Sequence, residues 1–246
     1  MDELTTTTTV AGPLGDLAAN FYFSPFAVAR AESIGLDVVS LYGAGRGGVI
    51  AGATPTVADE TFFFFKPGMI ASMVEKGRSL AAESAILDAH LAAASDYAET
   101  TFARVDEVTL LRFAELAEKV AAGAPKGNWP IFDGYFASPT PATAAAKAYR
   151  GAILLRELRG GIHTDAVKAA GLSAATACQF DRDDFYFRMH GFGDDDVVEL
   201  TPEVEALKAS TEQATNAAMA ERFAVLSAEE RAGLVEGTHA LVGALS

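Results

Sequence analysis

Three arginines, one glutamate and one histidine fall within the stretch Tyr149–Leu172, YRGAILLRELRGGIHTDAVKAAGL. Read as a helix that reaches Arg159 and is ended by Gly160-Gly161, it sets Arg156 and Arg159 three residues apart on one face. At that spacing two guanidiniums can grip a carboxylate or phosphate through paired hydrogen bonds. His163 then opens the following helix, where its imidazole can serve as an acceptor, a general base, or a metal or haem ligand. Arg46, set in the glycine-rich GAGRGG (Gly43–Gly48), and the aromatics Tyr22, Tyr42, Phe63 and Phe65 would close the other side. These eight residues are the expected ligand site. The competing reading makes Arg156, Glu157 and Arg159 structural ion pairs that knit two halves together.

No reaction is named by the remaining chemistry-bearing residues. GAGRGG, expected as a sharply turning loop, follows no clear strand and lacks both the Lys-Ser/Thr of a P-loop and a correctly spaced G-x-G-x-x-G. There is no G-x-S-x-G elbow, no H-E-x-x-H and no Cys/His zinc spacing, so the sequence points to no particular cofactor. Asp194–Asp196 lacks the glycine and glutamate spacing of an EF-hand and reads as a solvated turn. The single cysteine, Cys178, excludes an internal disulfide framework and reads as a small buried thiol. His90 lies within an apolar helical stripe and reads as a core histidine.

The elements that must position these groups are mainly helical. Apolar residues recur at three-to-four spacing through Ser79–Thr101 (Ile86, Leu87, Leu91, Ala94) and Val105–Ala122 (Leu110, Phe113, Leu116, Val120). Ser24-Pro25, Thr54-Pro55 and Thr201-Pro202 are cap-and-first-turn pairs, and Ser227 with Glu230 makes a capping box. Phe62–Phe65 cannot all face one way, so some of these rings must meet a second layer or a ligand. Ala122–Pro141 reads as an ordered crossover packed by its aromatics. Short helices at about 163–170, from Ser173 to near Phe180, and over Arg182–His190 precede a turn and a strand at Asp194–Leu200. The first 16 residues, with five consecutive threonines, are expected to be a disordered leader.

At 246 residues and 50% hydrophobic content the chain can bury a full core. Its net charge of −14 repels phosphate backbones over most of the surface. No basic, apolar signal segment opens the sequence, and no apolar run approaches the roughly 20 residues that span a bilayer. A cytoplasmic location without membrane contact is expected.

The order of short helices, glycine-turned hairpin and Leu200-Thr201-Pro202-Glu203 leading into a long helix resembles the winged-helix domains of MarR-type regulators. Over most of residues 17–245 the chain also resembles an uncharacterised family of actinobacterial helical proteins with a winged-helix-like C-terminal half. The shared features are Tyr22–Pro25, the Gly-Arg-Gly around Arg46, the aromatic run before Pro67, and LRELRGGIH (Leu155–His163). That family pattern has a further histidine where this chain has Leu158, and another where it has Asn20. The resemblance implies a mainly α fold with a helix-turn-helix and a small β-hairpin. It divides the chain into the leader, a helical half at 17–138 and a winged-helix-like half at 139–246. It also implies a homodimer through the C-terminal helices. The combined expectation is a protein that holds a small-molecule ligand between its halves, with catalysis possible but unsupported by any motif. The alternative is a MarR-like DNA-binding regulator. Against DNA stand Asp181, Asp183 and Asp184 on the candidate recognition helix and Asp194, Asp195 and Asp196 on the wing, facing only Arg182 and Arg188.

Overall fold

The computed structural model describes residues 1–181 and 184–245. Among these residues the chain forms α-helices and one 3-10 turn, and no strand. The helices are α1 (Glu3–Ala19), α2 (Pro25–Ser33), α3 (Val38–Gly48), α4 (Pro55–Thr61), α5 (Met69–Leu80), α6 (Glu83–Thr101), α7 (Glu107–Gly123), α8 (Pro130–Ala137), α9 (Ala144–Ala169), α10 (Ala174–Asp181), α11 (Asp184–Met189), α12 (Pro202–Phe223) and α13 (Ala228–Gly243). Their starts follow the capping chemistry read from the sequence. Ser24, Thr54 and Thr201 each accept the amide three residues on, with Pro at the next position. Ser227 and Glu230 form the reciprocal box.

One core runs through α1, α6, α7, α9, α12 and α13. Leu14 and Leu17, Ala93, Phe113 and Leu116, Tyr149 and Leu154, Met219 and Phe223, and Leu234 and Leu241 belong to it. The broadest helix–helix interface joins α7 to α9. Tyr149 sits fully buried in this core, where its hydroxyl donates to the Leu17 carbonyl at 3.0 Å and accepts from the Phe21 amide at 3.2 Å. A smaller cluster of Cys178, Phe187 and Phe192, with Phe64 against it, holds α10 and α11, and it bears out the reading of Cys178 as a buried thiol.

Four expectations are corrected. Residues 3–16 are the greater part of α1 and not a disordered leader. Asp2 caps the helix, the hydroxyls of Thr6 and Thr7 donate to the carbonyls of Asp2 and Glu3, and Thr6, Thr7, Val10, Leu14 and Leu17 form a buried stripe. Burial of that stripe against α9, α12 and α13 outweighs the weak helix propensity of threonine.

GAGRGG is the second half of α3 and not a loop. Its glycines let helices approach one another closely. A Cβ on Gly45 would lie 2.7 Å from the Cβ of His90 in α6, and the corresponding atom on Gly77 in α5 would lie 2.6 Å from the Cβ of Ala44.

Gly160-Gly161 does not end a helix, because α9 continues through it to Ala169. There is accordingly no corner between Arg159 and His163, and His163 does not begin a helix. Finally, the expected β-hairpin is absent among the described residues. Asp194–Asp196 is a 3-10 turn, and 197–200 has no regular structure. The turn is closed by the Asp196 carboxylate, which accepts from the Gly193 amide, and tied to the body by Lys66 at 2.7 Å.

Gly160 and Gly161 separate the two uses of glycine within one helix. A Cβ at Gly160 meets nothing within 4 Å, whereas one at Gly161 would run into the indole of Trp129. Gly160→Ala should therefore stabilise the protein by about 0.5–1 kcal/mol through helix propensity. Gly161→Ala should destabilise it by about 1–3 kcal/mol through overpacking. Chemical denaturation of the two variants measures both, and a stabilising Gly161→Ala would contradict the packing described here.

Candidate functional site

A cleft of about 480 Å³ lies between α9 and the Phe62–Phe65 stretch, with α1 and α12 behind and α11 at one end. Seven of the eight expected site residues line it, namely Tyr42, Arg46, Phe63, Phe65, Arg156, Arg159 and His163. The eighth, Tyr22, is buried behind the wall and bonds to Arg156 and Glu157. Because α9 is continuous, Arg156, Gly160, Thr164 and Lys168 follow one another at four-residue spacing, with Arg159 and His163 beside them, and all face the cleft. That regular spacing is a signal the glycine pair concealed, and Lys168 was missed with it. Trp129, Tyr186 and His190 also line the cleft and were missed because they come from distant parts of the chain. Thr7, Val10, Leu14 and Gly15 of α1 complete the wall, so the segment expected to be a leader is part of the site.

At the cleft floor two guanidiniums converge on one carboxylate. Arg46 Nη2 donates to both oxygens of Glu157, at 2.9 and 2.7 Å, and its Nη1 donates to the Tyr42 hydroxyl at 3.2 Å. Arg156 Nη1 donates to Glu157 Oε1 and, at 3.4 Å, to the Tyr22 hydroxyl. The Arg46 and Glu157 side chains are only 10% and 4% exposed, against 26% for Arg156. Arg46 lies over the Phe62 ring, and both arginines lie over Tyr22, where the negative faces of the rings favour cations. Burial alone would raise the Glu157 carboxyl, but Arg46 and Arg156 more than offset it and hold the group below the ordinary glutamate range. Of the expected ion-pair set Arg156, Glu157 and Arg159, the first two do pair, with Arg46 as the second cation, whereas Arg159 pairs with Glu212. The Arg46–Glu157–Arg156 knot opens onto the cleft.

Behind it, His90 Nε2 bonds to the Tyr135 hydroxyl at 2.7 Å with the Phe21 ring against its edge. Burial, and then the Arg46 charge, pull its imidazole down to about 3, so it is neutral. Burial also pushes the Tyr22 phenol up to about 12. Arg46, Glu157 and Arg156 are thus the charged members of this inner group.

Higher on the wall α12 fixes the other candidates. Arg159 Nη2 donates to Glu212 at 2.9 Å and to Asn216 at 3.3 Å. His163 Nδ1 lies 3.0 Å from the Thr215 hydroxyl, which donates its own hydrogen to the Thr211 carbonyl at 2.8 Å. His163 Nε2 faces Glu212 Oε1 at 3.6 Å, so Thr215 and Glu212 together set the orientation of the ring. The His163 ring stacks on Phe64, the His190 ring packs on Phe65, and Lys168 lies over Phe63. Trp129 is held by its indole N–H, which donates to Asp165 at 2.8 Å. No cluster of three or more metal-ligating side chains occurs among the described residues, and no helix is long and apolar enough to cross a membrane.

Residues 7–246 match the model of a helix-turn-helix family. The chain belongs to that helix-turn-helix family. No curated protein and no solved structure matches it. Arg182 and Asp183, which opened the expected recognition helix, and the Asp181 side chain lie outside the described residues. On the described part, Arg188 is held by Asp184 and Asp194, and His190 turns inward to the cleft.

Two outcomes test this geometry. Glu157→Gln leaves two guanidiniums in a buried site without their counter-charge, and it should cost about 3–5 kcal/mol of stability, read from denaturant midpoints. His90 ionises near 6.5 when unfolded and near 3 when folded. Between those values the unfolded chain binds a proton that the native fold refuses. The contribution of His90 is therefore complete above pH 6.5 and is lost as pH falls toward 3. His90→Gln should flatten the dependence of unfolding free energy on pH between 7 and 4, and an unchanged slope would show that His90 is not buried neutral.

Proposed function

We propose that this chain is a small-molecule-binding member of its helix-turn-helix family, with the ligand held in the cleft between α9 and Phe62–Phe65. The observation that carries the reading is the composition of the wall. Four consecutive phenylalanines, Trp129, Tyr42 and Tyr186 face a space of about 480 Å³, within the size range of ligand pockets, and a few fixed polar groups interrupt them, as such sites require. Tertiary packing draws these groups from well-separated stretches of sequence, and His163 and Arg159 are oriented by α12 before any ligand arrives. Such preorganisation favours binding because little side-chain freedom remains to be lost.

Family membership is compatible with a second reading, a DNA-binding regulator. The described surface at α11 and the following turn opposes it. Asp184 and Asp194 claim Arg188, Asp195 stands beside them, and a duplex needs positive charge at such a surface. Small-molecule binding is therefore preferred, and the two readings separate experimentally.

Trp129 is the only tryptophan in the chain and lines the cleft. Titration with a neutral aromatic fluorophore, N-phenylnaphthylamine, should quench its emission and saturate at one molecule per chain. Gly160→Leu, placed where a side chain meets open space on the cleft wall, should abolish that binding while leaving the melting temperature nearly unchanged. Binding that survives the substitution would locate the ligand elsewhere. For the regulator reading the expected result is no salt-dependent retention on duplex DNA at low ionic strength, and clear retention would restore it.

A further inference from the structure

The cleft floor has an unbalanced charge. Among the described residues Arg46 and Arg156 form ion pairs with Glu157 and with no other carboxylate. The other groups acting on them electrostatically are tyrosines and each other. The neighbouring His90 is neutral, and the phenols of Tyr22 and Tyr135 are kept protonated by burial. Two fixed positive charges therefore share one negative charge, leaving about one positive charge in a site mostly removed from water. An uncompensated buried ion is costly, and buried charges are ordinarily paired.

Over the cleft as a whole the charges balance once Glu212, the partner of Arg159, is counted. Arg46, Arg156, Arg159 and Lys168 line it against Glu60, Glu157 and Asp165, in a chain whose net charge is −14. Arg159 is already matched by Glu212, and Asp165 is engaged by the Trp129 indole. The excess positive charge is local to the Arg46–Glu157–Arg156 floor. Its donors are also incompletely used. Arg46 Nε is buried with no hydrogen-bond partner. Among the described residues Arg156 bonds through Nη1, and its Nη2 and Nε meet no protein acceptor there.

We propose that this group is an anion seat and that the ligand of the cleft is a flat aromatic acid. Its carboxylate, sulfonate or phosphate meets Arg156 above Glu157, and its ring system lies against Phe62–Phe65 and Trp129. This inference rests on the reading of the cleft as a small-molecule site and adds the charge and shape of the occupant. It also moves the anion contact from the Arg156/Arg159 pair, which the spacing alone favours, to Arg156 and Arg46. Glu157 holds the two arginines together and prevents their mutual repulsion from opening the floor. Binding becomes electrostatically complete when the ligand supplies the missing negative charge.

The test compares two probes with the same ring systems, anilinonaphthalene sulfonate, which is an anion, and neutral N-phenylnaphthylamine, by Trp129 emission on the full chain. The sulfonate should bind at least about tenfold more tightly, the scale of one hydrogen-bonded charge contact. Arg156→Gln should remove most of that preference while leaving the neutral probe unaffected, because Glu157 and Arg46 still balance each other. In the wild-type chain the preference should also shrink as salt is raised, a measurement that needs no variant. Equal affinity for the two probes, or a preference untouched by Arg156→Gln and by salt, would overturn the anion seat while leaving the cleft a binding site. If neither probe changes Trp129 emission, the small-molecule reading falls and the anion seat falls with it.

Discussion

A single buried carboxylate holds this structure's working region in place. Glu157 lies inside α9 and accepts from Arg46 of α3 and from Arg156 beside it, while Tyr22 reaches it from the turn before α2. Remove the carboxylate and two guanidiniums confront each other across aromatic rings with no counter-charge. The net value of a buried ion pair is small once its desolvation is counted, but one partner cannot be removed cheaply. The interaction therefore matters less as a source of stability than as a constraint. It sets where α3 meets α9, and through Phe62 it sets where the aromatic wall stands.

That constraint is met only because the surrounding helices come unusually close. Gly45 admits His90, and Gly77 admits Ala44, so α3 can lie deep between α5 and α6 and carry Arg46 to the floor of the cleft. On the opposite side Gly161 admits Trp129, whose indole then reaches Asp165 in the next turn of the same helix. Small residues here convert backbone proximity into a site lined by large ones. α1 works differently: its threonines satisfy their own hydroxyls along the helix, and its apolar stripe seals the far wall.

Much of this was legible in the sequence. The cap-and-proline pairs and the three-to-four spacing of α6 and α7 stand as read, and Tyr42, Arg46, Phe63, Phe65, Arg156, Arg159 and His163 do meet. What the sequence concealed has a common physical origin. Glycine ends helices and also lets them touch, and a single chain offers no way to distinguish the two uses before the neighbours are known. Gly43–Gly48 and Gly160-Gly161 were read as turns for that reason. The threonine run and Pro13 weigh against a helix locally, and only burial against α9, α12 and α13 reverses the balance. Asp194–Leu200 has the β-branched residues of a strand, but among the described residues no neighbouring strand pairs with it, and Asp196 closes a turn instead. Tyr22 was rightly associated with the site but stands behind it, bound to the charges that face the cleft.

The continuity of α9 carries a final consequence. At 26 residues it is about 39 Å long, and the side chains of its buried face anchor the main core while its other residues form one wall of the cleft. Local opening begins where buried contacts are few and rarely in the most cooperative unit of a fold. Amide hydrogens of this wall are therefore expected to exchange with the slow core. The opposite wall, Phe62–Phe65 with α11, is fastened by smaller units, the Ala58–Phe62–Ile70–Val74 and Cys178–Phe187–Phe192 clusters and the Lys66–Asp196 pair. The smaller clusters that hold this wall are thus where local opening of the fold is expected to begin, against a fixed α9.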